Sequence, residues 1–279
     1  MPCLSQCAGE VRRLDHDRFL CALFAPEAER EDLFALYAFN QEVARIREAV
    51  SEPLIGQMRL QWWRDALDGI YAGDAPRHHV ALGLADAVGR HDLSRAHFDR
   101  LIEARSDDLN DHAPRDTAAL VAYAEETSAT LTALSLEILG QREGAVGEAG
   151  RNVGLAWALT GLLRSVPFHA GARRLYLPAS LTREMGLDVA ELFRRRSSPA
   201  LAAVVCEIAQ EARRYLAEAR RLASTVPRRA LPALLPATLA DGYLKRLSRA
   251  RFDPFDGRVN AAPVGLLVRL AFNAYRGFY

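Results

Sequence analysis

The strongest constraint on this chain is its hydrophobic period. Apolar residues recur three and four apart along nearly its whole length, and strand-like alternation is almost missing. Alanine, leucine, arginine and glutamate dominate, and most of these favour helix. Pro26 followed by Glu27, Glu29, Glu31 and Asp32 puts a fixed φ and then acids at a helix N-terminus, where the macrodipole favours them. That helix is predicted to run to about Val50, and Pro53 opens the next, through Tyr71. Further helices are predicted over 76–90, 94–109, 116–139, 148–166, 199–225, 231–249 and 263–277. Breaks fall at Gly73-Asp74, Asp111–Pro114, Gly140–Gly147, Pro167–Pro178 and Pro227–Pro236. The expected architecture is all-α: an N-terminal tail over residues 1–14, then a single helical domain over 15–279.

With 279 residues, 50% hydrophobic and 25% charged, the composition is that of a globular protein. A net charge of +1 gives no electrostatic footprint for nucleic acid, so no such partner is expected. No apolar run reaches the ~20 residues of a membrane span. The N-terminus lacks the pattern of a secretory signal or a mitochondrial presequence, and a cytoplasmic protein is expected. Cys3, Cys7, Cys21 and Cys206 are read as reduced thiols, because Cys3 and Cys7 lack a second pair to complete a metal site. Lys245 is the only lysine, and this arginine bias points to GC-rich bacterial coding.

Three helices carry mixed faces. Over 27–49, Leu36, Phe39, Val43 and Ile46 form a core face, while Leu33, Tyr37, Asn40, Ala44, Arg47 and Glu48 line either a polar cavity or solvent. Gly154, Ala158, Gly161 and Ser165 form a narrow face that either admits another helix or leaves room for a ligand. Small hydroxylated residues recur at Ser128, Thr132 and Ser135. Trp62 and Trp63 are read as packing, and Arg64 can pair with Asp68 four residues on. Pro167 should kink or stop its helix and spoil any ligand pair at 165 and 169. Arg64, Arg164, Arg173 and Arg174 either bind an anion through bidentate hydrogen bonds, or pair with acids or face solvent. His78-His79 shows no third metal ligand, and Glu48, Ser165 and His169 make no specific triad.

The stretch GLAWALTGLLRSVPFHAGARRLYLP at 154–178 resembles the second metal-binding helix of the squalene/phytoene synthase-like superfamily. Arg164, Arg174, Tyr176, Leu177 and Pro178 keep that frame, but Ser165 and His169 stand where the family has aspartates. LFALYAFN resembles the first metal helix: Asn40 and Gln41 replace Cys-Arg, Ala44 and Arg45 replace the leading aspartates, and only Glu48 remains acidic. Leu60, Trp63, Arg64 and Leu67 match a further family pattern. The resemblance implies the trans-isoprenyl diphosphate synthase fold, with a vestigial pocket at Tyr37, Asn40, Gln41, Ala44, Glu48, Ser128, Gly161, Arg164, Ser165 and His169. The family's reaction needs Mg²⁺ held by carboxylates on two facing helices. Serine and imidazole are poor ligands for that hard ion. No catalytic residue, metal or cofactor is therefore expected, and Mg²⁺ only if the enzyme reading were right.

The runs FALYAFNQEVARIREAVSEPLIGQMRLQWW, YAEETSATLTALSLEILG, LRSVPFHAGARRLYLP and LPALLPATLADGYLKRLSRARFDPF resemble more narrowly the superfamily's non-catalytic branch of mitochondrial complex I assembly factors. This resemblance implies an assembly role, with respiratory complex I subunits or assembly intermediates as partners. It also implies peripheral contact with the inner face of the inner membrane. The alternatives are a prenyl-transferring enzyme and an isoprenoid- or phospholipid-binding protein that uses the old cavity.

Overall fold

The computed structural model describes residues 4–142, 144–261 and 265–279. Cys3 and the predicted helical residues 263 and 264 lie outside them. Twelve main helices follow in order: α1 (Gln6–Leu14), α2 (His16–Ala22), α3 (Glu27–Ala44), α4 (Pro53–Ala72), α5 (His79–His91), α6 (Arg95–Asp107), α7 (Thr117–Ala124), α8 (Thr130–Ile138), α9 (Ala145–Gly171), α10 (Pro199–Arg221), α11 (Pro236–Arg249) and α12 (Leu266–Arg276). Shorter helical turns link several of them, and no strand occurs among the described residues.

The all-α expectation holds, and α9 is the axis of the bundle. It packs against α8, α10 and α11. Val153, Leu155, Ala156, Leu159 and Leu163 bury apolar side chains on several of its sides, the pattern of a helix enclosed by others. A second cluster joins α3, α4 and α6: Phe39 meets Trp63 edge-on at 4.9 Å and Phe98 at 5.4 Å. Trp63 is buried, whereas its neighbour Trp62 is exposed, so only one of the two is core.

Four expectations need correction. Residues 6–14 are not a tail. Ser5 Oγ accepts the Ala8 amide at 3.1 Å and starts α1, which buries Cys7, Ala8 and Val11 and packs on α3. The helix expected to reach Val50 stops at Ala44, and Ile46–Ala49 forms a separate turn after Arg45. The stretch 231–249 divides into Leu231–Leu234 and α11 around Leu235. Pro167 does not end its helix, since α9 continues to Gly171. Proline removes one helical hydrogen bond, but buried Val166 and Ala170 anchor the last turn, and the Arg174 amide donates to the His169 carbonyl at 2.9 Å.

Between α7 and α8, Glu125–Ala129 form a π-helical turn. Thr127 Oγ1 donates to the Tyr123 carbonyl at 2.7 Å and Thr130 Oγ1 to the Glu125 carbonyl at 3.0 Å, adding partners to carbonyls in the widened turn. Helix α9 crosses this turn at the van der Waals limit: a Cβ on Gly154 would sit 2.5 Å from the Ala129 Cα and 2.9 Å from the Ser128 carbonyl oxygen. Seven residues on, a Cβ at Gly161 would meet nothing within 4 Å. The small-residue face thus divides, with helix contact at one end and open space at the other.

Gly154→Ala should destabilise the protein by about 1–3 kcal/mol, because backbone rather than a flexible side chain must move. Gly161→Ala should be neutral or stabilising, since alanine is the better helix former by about 1 kcal/mol. Urea denaturation of both variants checks this; equal effects would contradict the division.

Candidate functional site

The open end of that face borders a cavity of about 280 Å³. Its walls come from the end of α3, the segment after α6, the π turn, the second half of α9, and residues 174–176. Of the sequence candidates, Asn40, Gln41, Ala44, Glu48, Ser128, Gly161, Ser165 and His169 line it, as does Arg174. Ser165 and His169 face the same space because α9 runs through Pro167 without stopping.

Four candidates lie elsewhere. Tyr37 is buried in the core, where its hydroxyl accepts from Ser135 Oγ at 3.2 Å and burial pushes its phenol up to about 12. Arg64 does not meet Asp68; it reaches Glu103 at 2.9 Å, while Asp68 pairs with Arg95. Arg173 is exposed, its guanidinium 5.8 Å from the Phe193 ring. Arg164 lines an adjoining groove, stacked 3.4 Å over Tyr243 and paired with Asp17 at 3.2 Å. Arg174 itself is held by Asp111 at 3.3 Å, which Arg47 also binds. These arginines mostly meet acids of their own chain.

The floor of the cavity was not foreseen. Asp108 Oδ2 accepts from Arg105 at 3.1 Å and Tyr123 at 3.0 Å, and Oδ1 accepts from Tyr176 at 3.1 Å. Burial pushes both phenols upward, so each stays a donor. The Arg105–Asp108 pair at three-residue spacing was the available sequence signal. Two atoms on the cavity wall remain without a hydrogen-bond partner: Ser128 Oγ and Arg105 Nε.

The lining carries five arginines (18, 45, 47, 105 and 174) against two acids, Glu48 and Asp108. This donor set does not fit Mg²⁺. Asp108 is committed to three donors, and Glu48 is exposed and lies 3.8 Å from Arg45. Ser165 is neutral. His169 has its imidazole pushed down to about 4, chiefly by burial and then by the Arg174 charge, with Asp108 opposing. All five arginines are paired with carboxylates, Arg18 with Asp15 at 2.7 Å among them, and the lining has no carboxylate pair free to hold the metal of a leaving diphosphate.

The sequence matches the squalene/phytoene synthase family over residues 11–264. The chain belongs to that family. It is 33% identical over 273 residues to the human NADH dehydrogenase (ubiquinone) complex I, assembly factor 6, covering 98% of this chain and 82% of that one. It is 28% identical over 209 residues to a presqualene diphosphate synthase of Rhodopseudomonas palustris, covering 75% and 74%. The crystal structure of a squalene synthase from Alicyclobacillus acidocaldarius shares the fold with a TM-score of 0.79 at 21% identity, over 89% of this chain and 94% of that one.

His169 should titrate near 4 by NMR. An unfolded imidazole binds its proton near 6.5, so the neutral native ring contributes stability that is complete above that pH and lost as pH falls toward 4. His169→Gln should flatten the loss of stability between pH 6.5 and 4. A wild-type value near 6.5 would contradict the buried, arginine-flanked placement.

Proposed function

We propose that this chain is a non-catalytic, bacterial member of the family that acts in assembly of respiratory complex I. The observation that carries the reading is the cavity's donor set: the helical frame is present, while the positions that would hold Mg²⁺ are Ala44, Arg45, Ser165 and His169. The likeness to a human assembly factor over 98% of the chain supports the same role, with complex I subunits or assembly intermediates as partners.

No helix among the described residues is long and apolar enough to cross a membrane. Peripheral contact fits the C-terminal helix. Val268, Phe272 and Tyr275 lie on one face of α12 and are 74%, 56% and 80% exposed. The helix carries no acid, and although Arg269 pairs with Asp241 at 2.9 Å, Arg276 accompanies the apolar face, a combination suited to an anionic lipid surface.

One observation favours lipid binding as a second reading. The cavity shares Arg18, Gln41, Trp157 and Gly161 with a groove whose far rim is Leu266, Leu267 and Val268. Arginines at one end, held by Asp15 and Asp17, joined to an apolar rim fit a polar head with an apolar chain.

Deleting the gene should lower assembled complex I on native gels and reduce NADH:quinone activity. The wild-type gene should restore both, and a Phe272→Ser, Tyr275→Ser double variant should restore them less and leave the membrane fraction. Normal complex I with altered isoprenoid lipid content would overturn the assembly reading in favour of the alternatives.

A further inference from the structure

Away from the cavity, three helices bring metal-ligating side chains to one corner. Glu10 comes from α1 and Glu42 from α3; His79 opens α5, and His78 precedes it. One donor atom each from Glu10, Glu42 and His79 lies within 4.8 Å of the others. His78 Nε2 is a further 3.6 Å from Glu42 Oε1. We propose that this corner is a binding site for one divalent transition ion of the zinc type, ligated by Glu10, Glu42 and His79, with His78 as the fourth donor.

The contact between His79 and Glu10 leaves a donor atom available at this corner. His79 Nε2 is 2.9 Å from Glu10 Oε1, an ion-pair distance, yet that buried nitrogen has no hydrogen-bond partner. An unbonded nitrogen this close to a carboxylate oxygen is free to turn its lone pair to a shared ion. Tetrahedral ligands, each about 2.1 Å from one zinc ion, stand about 3.4 Å apart. From the 4.8 Å that bounds the three donors, the widest separation closes by up to about 1.4 Å, a movement made by glutamate rotamers.

The donor chemistry selects the ion class. Two carboxylates balance a divalent charge, and two imidazoles favour zinc-like ions over magnesium or calcium. The four side chains are each 24–31% exposed, so an ion can enter from solvent while the corner stays partly shielded. Trp62 and Trp63 meet the His78 ring edge-on at 5.2 and 5.8 Å and restrict its rotation. An ion here would tie the nine-residue α1, too short to be stable alone, to α3 and to the start of α5. The sequence shows two adjacent histidines; their acidic partners are 36 or more residues away along the chain and meet them only in the fold.

The test uses the untagged full chain, stripped with a chelator and titrated with ZnCl₂, and separately with CoCl₂ and MgCl₂. Calorimetry should give one equivalent of Zn²⁺, Co²⁺ should develop visible absorption, and the melting temperature should rise. Glu10→Gln and His79→Ala should each weaken Zn²⁺ binding at least tenfold, with far-UV circular dichroism confirming the fold. His112→Ala, at an exposed histidine elsewhere, should bind as wild type. If His79→Ala fails to fold, Glu10→Gln and Glu42→Gln carry the test. No zinc binding, binding that survives these substitutions, or a preference for Mg²⁺ would overturn the proposal.

Discussion

The candidate cavity depends on one close approach. Helix α9 crosses the π turn with no room for a Cβ at Gly154. That contact fixes the separation of the two walls farther along. Tyr123, Thr127 and Ser128 face one way, while Gly161, Ser165 and His169 face them across about 280 Å³. A wider turn in α7–α8 directs these side chains inward, and the threonine bonds to Tyr123 and Glu125 accompany it. The helical family fold supplies the space, and the residues at its edge decide what the space can hold.

The lining's donors do not fit a bound Mg²⁺. A site built for Mg²⁺ collects carboxylates and keeps cations for the phosphates. Here arginines outnumber acids five to two, and the better-buried acid is held by Arg105, Tyr123 and Tyr176. Replacing Asp108 would leave a buried guanidinium short of its partner, so its role in this structure is to hold the floor of the cavity. The neutral His169 ring beside Tyr176, 4.4 Å between centroids, adds shape without charge.

Periodicity made the fold legible, because three- and four-residue spacing reports directly on buried helix faces. It missed α1, whose short amphipathic run looks like a tail until α3 covers it. It misjudged Pro167, whose local penalty is opposed by the burial of Val166 and Ala170. Most wall positions were readable from the family resemblance, but their partners were not. Arg64 finds Glu103, Arg164 finds Asp17 and Arg174 finds Asp111, all through contacts that no local spacing encodes. Gly154 and Gly161 look alike in sequence and differ only in what lies opposite them. For the same reason, His78-His79 looked incomplete until Glu10 and Glu42 arrived from other helices.

The most direct measurement is turnover. The purified chain, incubated with farnesyl or geranylgeranyl diphosphate and saturating Mg²⁺, should release no diphosphate and form no squalene or phytoene above a blank without protein. Metal-dependent product formation would contradict the account, because it would require the cavity of Ala44, Arg45, Ser165 and His169 to hold ions that its donors do not fit.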